Sequence, residues 1–465
     1  MPRENCLIRK LFLPSLALSI LIPITVIINS YILINPVFYI FMYSLIGIIV
    51  LILIDRNKRV WVPILFTYNA IDCVFVVSGL IVLFLINFDS HSIFPEILRY
   101  CFSFILLFFL PGWLLVRILK ITERLHKIPL MIISFSISFG LTSLIYTAIL
   151  VLKLEPSELI VSIIYTFISL VSVLPRYLTG NSKNNKIFVK NRKKDYNLIE
   201  CAGLVWIVSF FVFSILYIYP AMVENPGFDI VRHYAIASVI DEHVDLLTSP
   251  YPWFHLSLGA LNDVTDIEMW LFQTAVSFTS IILIFSFYCV SKAYLYKFNK
   301  YFHLLSTIIF TCFSGLGWIF YYQNISYPMS LEEYSSLFSV SYAATYFDIG
   351  VGQGQWLWLW FRPITMDFLL TLLLLYLMRV EKLSNFSYIA LTSLAIITLS
   401  LVHFPGLILF VVILLCLAIF VPRVNLHLKE TAISLLISLP ISGLLLLSYA
   451  MYFGSDNIRF SGQHM

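Results

Sequence analysis

Charge is scarce in this chain: of 465 residues only 12% are Asp, Glu, Lys or Arg, about half the share of an ordinary soluble domain. Sixty per cent of the side chains are apolar and the mean hydropathy is +0.93. So few charges cannot cover a surface that faces water, which excludes a water-soluble globular enzyme and makes a lipid bilayer the solvent for most of the exterior. Cysteine is sparse and scattered. Cys6, Cys73, Cys101, Cys201, Cys289, Cys312 and Cys416 form no CxxC pair, so neither a disulfide framework nor a zinc site is implied. The net charge of +4 is spread over short clusters with no continuous basic stripe, and no nucleic-acid partner is expected. Arg3, Arg9 and Lys10 precede an apolar run as in a signal peptide, but no small-residue cleavage site follows, so a retained first helix is expected.

Long apolar runs are what the chain has in abundance. Only helices satisfy their own backbone in hydrocarbon, and a span needs about 20 mostly apolar residues. Thirteen segments qualify, near 11–33, 37–54, 61–87, 99–119, 128–152, 157–175, 199–219, 269–291, 303–321, 363–379, 386–402, 405–422 and 430–452. The basic residues test this count, because they gather in cytoplasmic loops. Arg56 with Arg59, Lys120 to Lys127, Arg176 to Lys194, Lys292 to Lys300, Arg379 with Lys382, and Arg423 with Lys429 all fall on one side if the N-terminus is cytoplasmic. The expectation is an all-α, polytopic integral protein of the cell membrane, N-terminus in and C-terminus out. A six-helix module at 1–175, a basic cytoplasmic linker at 176–198 and a seven-helix module at 199–465 would make up the chain, with external loops at 220–268 and 322–362. The linker reads as a topology anchor or as a contact for anionic lipid headgroups.

Loops as long as 220–268 are usually functional. After the turn at Asn225, Pro226 and Gly227, the stretch from Asp229 to Ile240 reads as a short amphipathic helix on the membrane surface, with Ile230, Tyr234, Ala237 and Ile240 along its apolar face. Asp229, Arg232 and His233 share another face by i,i+3 and i,i+4 spacing, putting a carboxylate, a guanidinium and an imidazole at the water–lipid boundary. The plainer reading makes Asp229 an N-cap and Arg232 its surface partner. Farther on, Tyr251, Pro252, Trp253, Phe254 and His255 form an aromatic cluster that leads into a short apolar helix, the cluster being either an interfacial belt or a surface for stacking sugar or lipid headgroups. His243 and His255 stand near enough in sequence to join Asp229 and Asp263 around a divalent ion. No spacing matches a zinc motif, so a hard cation such as Mg or Mn on the carboxylates Asp229 and Asp263 is the metal expectation.

In the second external loop, Arg362 stands at the mouth of a span, where it suits a lipid-borne phosphate or merely snorkels. Polar residues inside spans are costly, about 2.5–3.5 kcal/mol for an ionised Asp at the bilayer centre. Asp72 reads as a helix-packing residue or part of an ion path. Asp367 and His403 sit near external helix ends, where a cavity would open.

The layout around these residues resembles the GT-C superfamily of polytopic glycosyltransferases, which use polyprenyl-phosphate sugars. An outgoing helix precedes a long external loop with an acidic residue near its start, here Asp229 within Phe228 to Ala237. The stretch from Tyr251 to Leu256 resembles the YP-containing segment of such enzymes, and Leu401 to Gly406 their later His-containing helix boundary. Phe109 to Val116, Glu123 to Leu125 and Ser134 to Gly140 resemble the N-terminal region of multi-spanning proteins grouped with them. Of the paired acidic motif, this chain has Asp229 with Glu224 five residues before it. The resemblance implies transfer of a sugar to a hydroxyl on a glycan, lipid or protein acceptor at the external face. Asp229 would be the general base, Arg362 or Arg232 would steady the departing polyprenyl phosphate, and His233, Tyr251, His255 and His403 would bind substrate. A transporter or flippase of lipid-linked saccharides is the rival, and a non-enzymatic envelope scaffold a third reading.

Overall fold

The computed structural model describes residues 68–86, 93–122, 124–125, 127–154, 157–179, 203–209, 211–212, 228–240, 251–265, 276, 278–296, 298–299, 301–313, 363–380, 383–420 and 427–453. Among them the regular elements are all helical. In chain order they are α1 (Tyr68–Ile86), α2 (Ile93–Ile118), α3 (Lys127–Val151), α4 (Glu158–Thr179), α5 (Phe228–Ser238), α6 (Pro252–Thr265), α7 (Ile281–Leu295), α8 (Phe302–Phe313), α9 (Pro363–Arg379), α10 (Asn385–Val402), α11 (Phe404–Phe420) and α12 (Leu428–Phe453).

Among the described residues, five helices are long and apolar enough to cross a membrane: Pro95–Ile118, Lys127–Val151, Phe278–Leu295, Asn385–Val402 and Leu428–Met451. Shorter apolar helices stand at Val74–Ile86, Glu158–Val171, Phe302–Thr311 and Phe404–Ile419. Their outward faces carry large bare hydrophobics at helical spacing, such as Val77, Leu80 and Phe84 on α1, Ile163, Phe167 and Leu170 on α4, and Ile408, Val412, Leu415 and Ile419 on α11. Water does not tolerate apolar surface on this scale, and lipid does. The chain is a helical membrane protein. The segments expected to span at 11–33 and 37–54, most of 199–219, most of the linker at 176–198 and the loop at 322–362 lie outside the described residues.

The core is organised around α3, whose most apolar stretch is 78% buried against 22% for α12 at the periphery. It packs on α2, α6, α7, α9 and α10, so the first sequence module reaches directly into the second. Polar groups satisfy one another at these contacts. Pro111 inside α2 has no N–H to give the Leu107 carbonyl one turn back, and Thr142 Oγ1 of α3 donates to that carbonyl at 2.6 Å. Tyr165 of α4 donates to the same Thr142 hydroxyl at 2.9 Å. Next to the proline, Gly112 lets the α3 backbone at Ser134 approach closely, and its N–H donates to Ser138 Oγ at 2.7 Å. Asp72 of α1 is 2% exposed and accepts from Arg117 Nη1 at 2.7 Å and Trp113 Nε1 at 3.1 Å. Those partners make it a strut between α1 and α2, the packing role among its two readings. Lys120 and Lys153 adopt φ of 55° and 53° after α2 and α3. Bonds from Ile121 N to Val116 O and from Leu154 N to Ile149 O close both helix ends as Schellman motifs.

The loop expected at 220–268 departs most from its sequence reading. The short apolar helix expected after the aromatic cluster is present as α6, but Pro252 to Leu261 are all buried, packed among α2, α3, α4, α5 and α10. Trp253 and Phe254 are core residues rather than an interfacial belt. Trp253 Nε1 donates to Tyr449 of α12 at 2.9 Å, and Ser143 of α3 donates to the Trp253 carbonyl at 2.7 Å. The described part of the first half is the expected helix, α5, which ends at Ser238; Tyr234 and Ala237 share a face with Ile240 in the turn just beyond, and the Ile230 side chain lies outside the described residues. That face is covered by protein and at most 1% exposed, so it seals the core instead of resting on lipid.

Candidate functional site

The candidate site forms where α5, the start of α6, the first turns of α9 and the α10–α11 junction come together. Tyr251 is the last residue before α6, its carbonyl accepting from Phe254 N and His255 N, with Pro252 at the first helical position, where a missing N–H costs nothing. His403 ends α10 with φ −161° and ψ 94°, an extended residue between α10 and α11. Asp367 lies one turn into α9, which also begins on a proline, Pro363.

These elements build a cluster of imidazoles around one phenol ring. His403 stacks on Tyr251 with ring centres 5.3 Å apart and planes at 22°. His233 meets Tyr251 edge-on at 5.3 Å, and His255 does so at 6.4 Å. His233 Nδ1 and His255 Nε2 stand 2.9 Å apart, with His233 6% and His255 1% exposed. Phe254 closes the apolar side, 5.6 Å from His233. On the opposite side His403 Nδ1 donates to Asp367 Oδ2 at 2.9 Å, and Asp367 Oδ1 accepts from Thr371 Oγ1 at 3.3 Å.

The chemistry follows from donor and acceptor counts. An ionised carboxylate only accepts, so the proton on His403 sits at Nδ1 and a neutral ring offers Nε2 as a base. In the other pair, one imidazole donates and its neighbour accepts. The 5.2 Å between their ring centres matches the 2.9 Å gap plus a ring radius at either end. The rings therefore meet in line, as an N–H···N hydrogen bond requires, and not converging as two ligands of one ion would.

Of the residues singled out from sequence, His233, Tyr251, His255 and His403 are brought together. Asp229 lies one turn before His233 in α5 and Arg232 directly precedes it, but the side chains of both, like all of Arg362 and His243, lie outside the described residues. Asp263 goes elsewhere. It stands two turns past His255 on α6 and accepts from the Tyr146 hydroxyl of α3, so it is not beside the imidazoles as a shared metal site with His255 would need. Among the described residues, no group of three or more His, Cys, Asp and Glu is placed to hold a metal ion. The sequence placed Asp367 with His403 near external helix ends where a cavity would open, but not their pairing, because the two are distant along the chain.

Compared with known proteins, the chain matches no family model, no curated protein and no solved structure.

Proposed function

We propose that the chain is a membrane glycosyltransferase that moves a sugar from a polyprenyl-phosphate carrier to an acceptor hydroxyl at the external face. This reading keeps thirteen spans, a cytoplasmic N-terminus and an external C-terminus. The observation that carries it is the meeting of His233, Tyr251, His255 and His403 with Asp367, from segments far apart in sequence, in a protein otherwise built of apolar helices. Buried titratable groups are expensive, and gathering them at one place is characteristic of reactive sites. Tyr251, only partly buried, is the aromatic side chain expected to meet a sugar or a lipid headgroup. Asp229, one turn from His233, is the carboxylate at the reacting centre. Arg362 or Arg232 steadies the phosphate as it departs with the prenyl chain. Asp229 is also the carboxylate through which a Mg or Mn ion would be held, while Asp263 is engaged by Tyr146 on α3.

Membranes carrying the protein, supplied with a panel of radiolabelled polyprenyl-phosphate hexoses, test the reading. Asp229→Asn is expected to abolish sugar transfer while expression and thermal unfolding stay at wild-type values; undiminished transfer refutes it. Movement of an unaltered lipid-linked saccharide across reconstituted vesicles would instead favour a flippase.

A further inference from the structure

We infer that His403, positioned by Asp367, is the base that takes the proton from the acceptor hydroxyl; the substrate rests on the glycosyl-transfer reading, whereas the dyad does not. The sequence pointed to Asp229, whose side chain lies outside the described residues, and the geometry that is described points to His403 for this task. Asp367 is 4% exposed at its side chain and bonded to His403 and Thr371, while His403 retains 14% exposure. The carboxylate is thus the more deeply buried of the two, and the imidazole keeps the exposed share of the pair. With Nδ1 committed to Asp367, the free nitrogen is Nε2, which bonds to none of the described residues. Tyr251 stacked across the ring restrains its rotation. A buried carboxylate fixing the tautomer of a more open histidine is the arrangement by which hydroxyl groups are deprotonated near neutral pH.

In the reaction, the acceptor oxygen loses its proton to His403 Nε2 and forms a bond to the anomeric carbon. The bond from that carbon to the carrier's phosphate oxygen breaks, and the phosphate leaves with the electron pair. The imidazolium is stabilised by Asp367 until it releases the proton to water. Asp229 is then left to offset the positive charge that builds on the sugar ring. Asp367 is a positioning residue, because it acts through His403.

Two measurements test this on the full chain in detergent or nanodiscs. Diethyl pyrocarbonate acylates an accessible, unprotonated imidazole nitrogen, and mass spectrometry reads the modified peptide without needing any substrate. His403 is expected to be modified in the wild type and several-fold more slowly in Asp367→Asn. An unmodified His403, or equal rates in the two proteins, overturns the proposal whatever the transfer assay gives. In transfer assays, His403→Asn keeps a donor toward Asp367 but lacks the second ring nitrogen. This variant and Asp367→Asn are each expected to lower kcat on the order of 10³–10⁴-fold, as loss of an oriented base does. The donor KM should stay within about threefold and the double variant should fall no further, because the two act as a unit. Added imidazole should partly restore His403→Ala, which a merely structural histidine would not permit. Transfer by His403→Asn within about threefold of wild type overturns the proposal and leaves the glycosyltransferase reading standing. A wild-type protein that transfers no sugar overturns that reading instead, while the labelling still reports on the dyad.

Discussion

Gly406 has space for a hydrogen and nothing larger. A Cβ at this position would run into both carboxylate oxygens of Asp367, so the first turn of α11 is glycine because the dyad lies directly beneath it. Gly406 N also donates to the His403 carbonyl at 3.0 Å, tying the break between the helices to the residue it presents. Gly406→Ala is expected to push Asp367 away from His403, lower transfer about as far as Asp367→Asn does, and cost about 1–3 kcal/mol from overpacking. Initial rates and thermal unfolding of the purified variant check this, and wild-type transfer would show that the carboxylate is not held where His403 needs it. The residues at the site were legible as chemical types. Histidines and a tyrosine among apolar runs stand out because burying them is costly. Their pairing was not legible, since His403 and Asp367 are joined by the packing of α9 against α10 and α11 rather than by any spacing along the chain.

At the scale of elements, the α2–α3 crossing shows how an apolar helix pair acquires specificity without a hydrophobic drive between its members. In lipid, association relies on close backbone approach and interhelical hydrogen bonds. Pro111 frees a carbonyl for Thr142, and Gly112 admits Ser134, so two residues usually read as helix breakers serve as the contact. Gly112→Ala places a methyl against the Ser134 carbonyl and is expected to destabilise the protein by about 1–3 kcal/mol or more. Gly443→Ala on α12, where a Cβ meets nothing within 4 Å, is the matched control. It should be neutral or stabilising by up to about 1 kcal/mol, from helix propensity alone. Thermal unfolding of both in the same detergent separates them, and equal shifts would mean that the crossing is looser than described. Helix α6 teaches the converse lesson. The aromatic and proline cluster at its start reads as an interfacial belt, yet Ser257 donates to the Phe139 carbonyl of α3, Trp253 donates to Tyr449 of α12 and the Trp253 carbonyl accepts from Ser143 of α3, which satisfies these buried polar groups.

For the whole molecule, the basic clusters give an expected orientation in the membrane, N-terminus in, that labelling tests. In a cysteine-free background, Lys186→Cys is expected to react with an impermeant maleimide only after cells are opened, and Asp245→Cys in intact cells. The opposite labelling would invert the topology and put the histidine cluster on the cytoplasmic side. Composition alone determined that the chain is helical and meets lipid, because a backbone in hydrocarbon must bond to itself and so few charges cannot face water. Periodicity in α5 likewise identified which of its residues would share an apolar face. What covers that face was decided only by the tertiary structure, since lipid tails and buried side chains are equally apolar and hydrophobicity cannot tell them apart. The same holds for the site: a sequence records which groups are costly to bury, while the partners that make their burial tolerable come from helices the chain brings together only on folding.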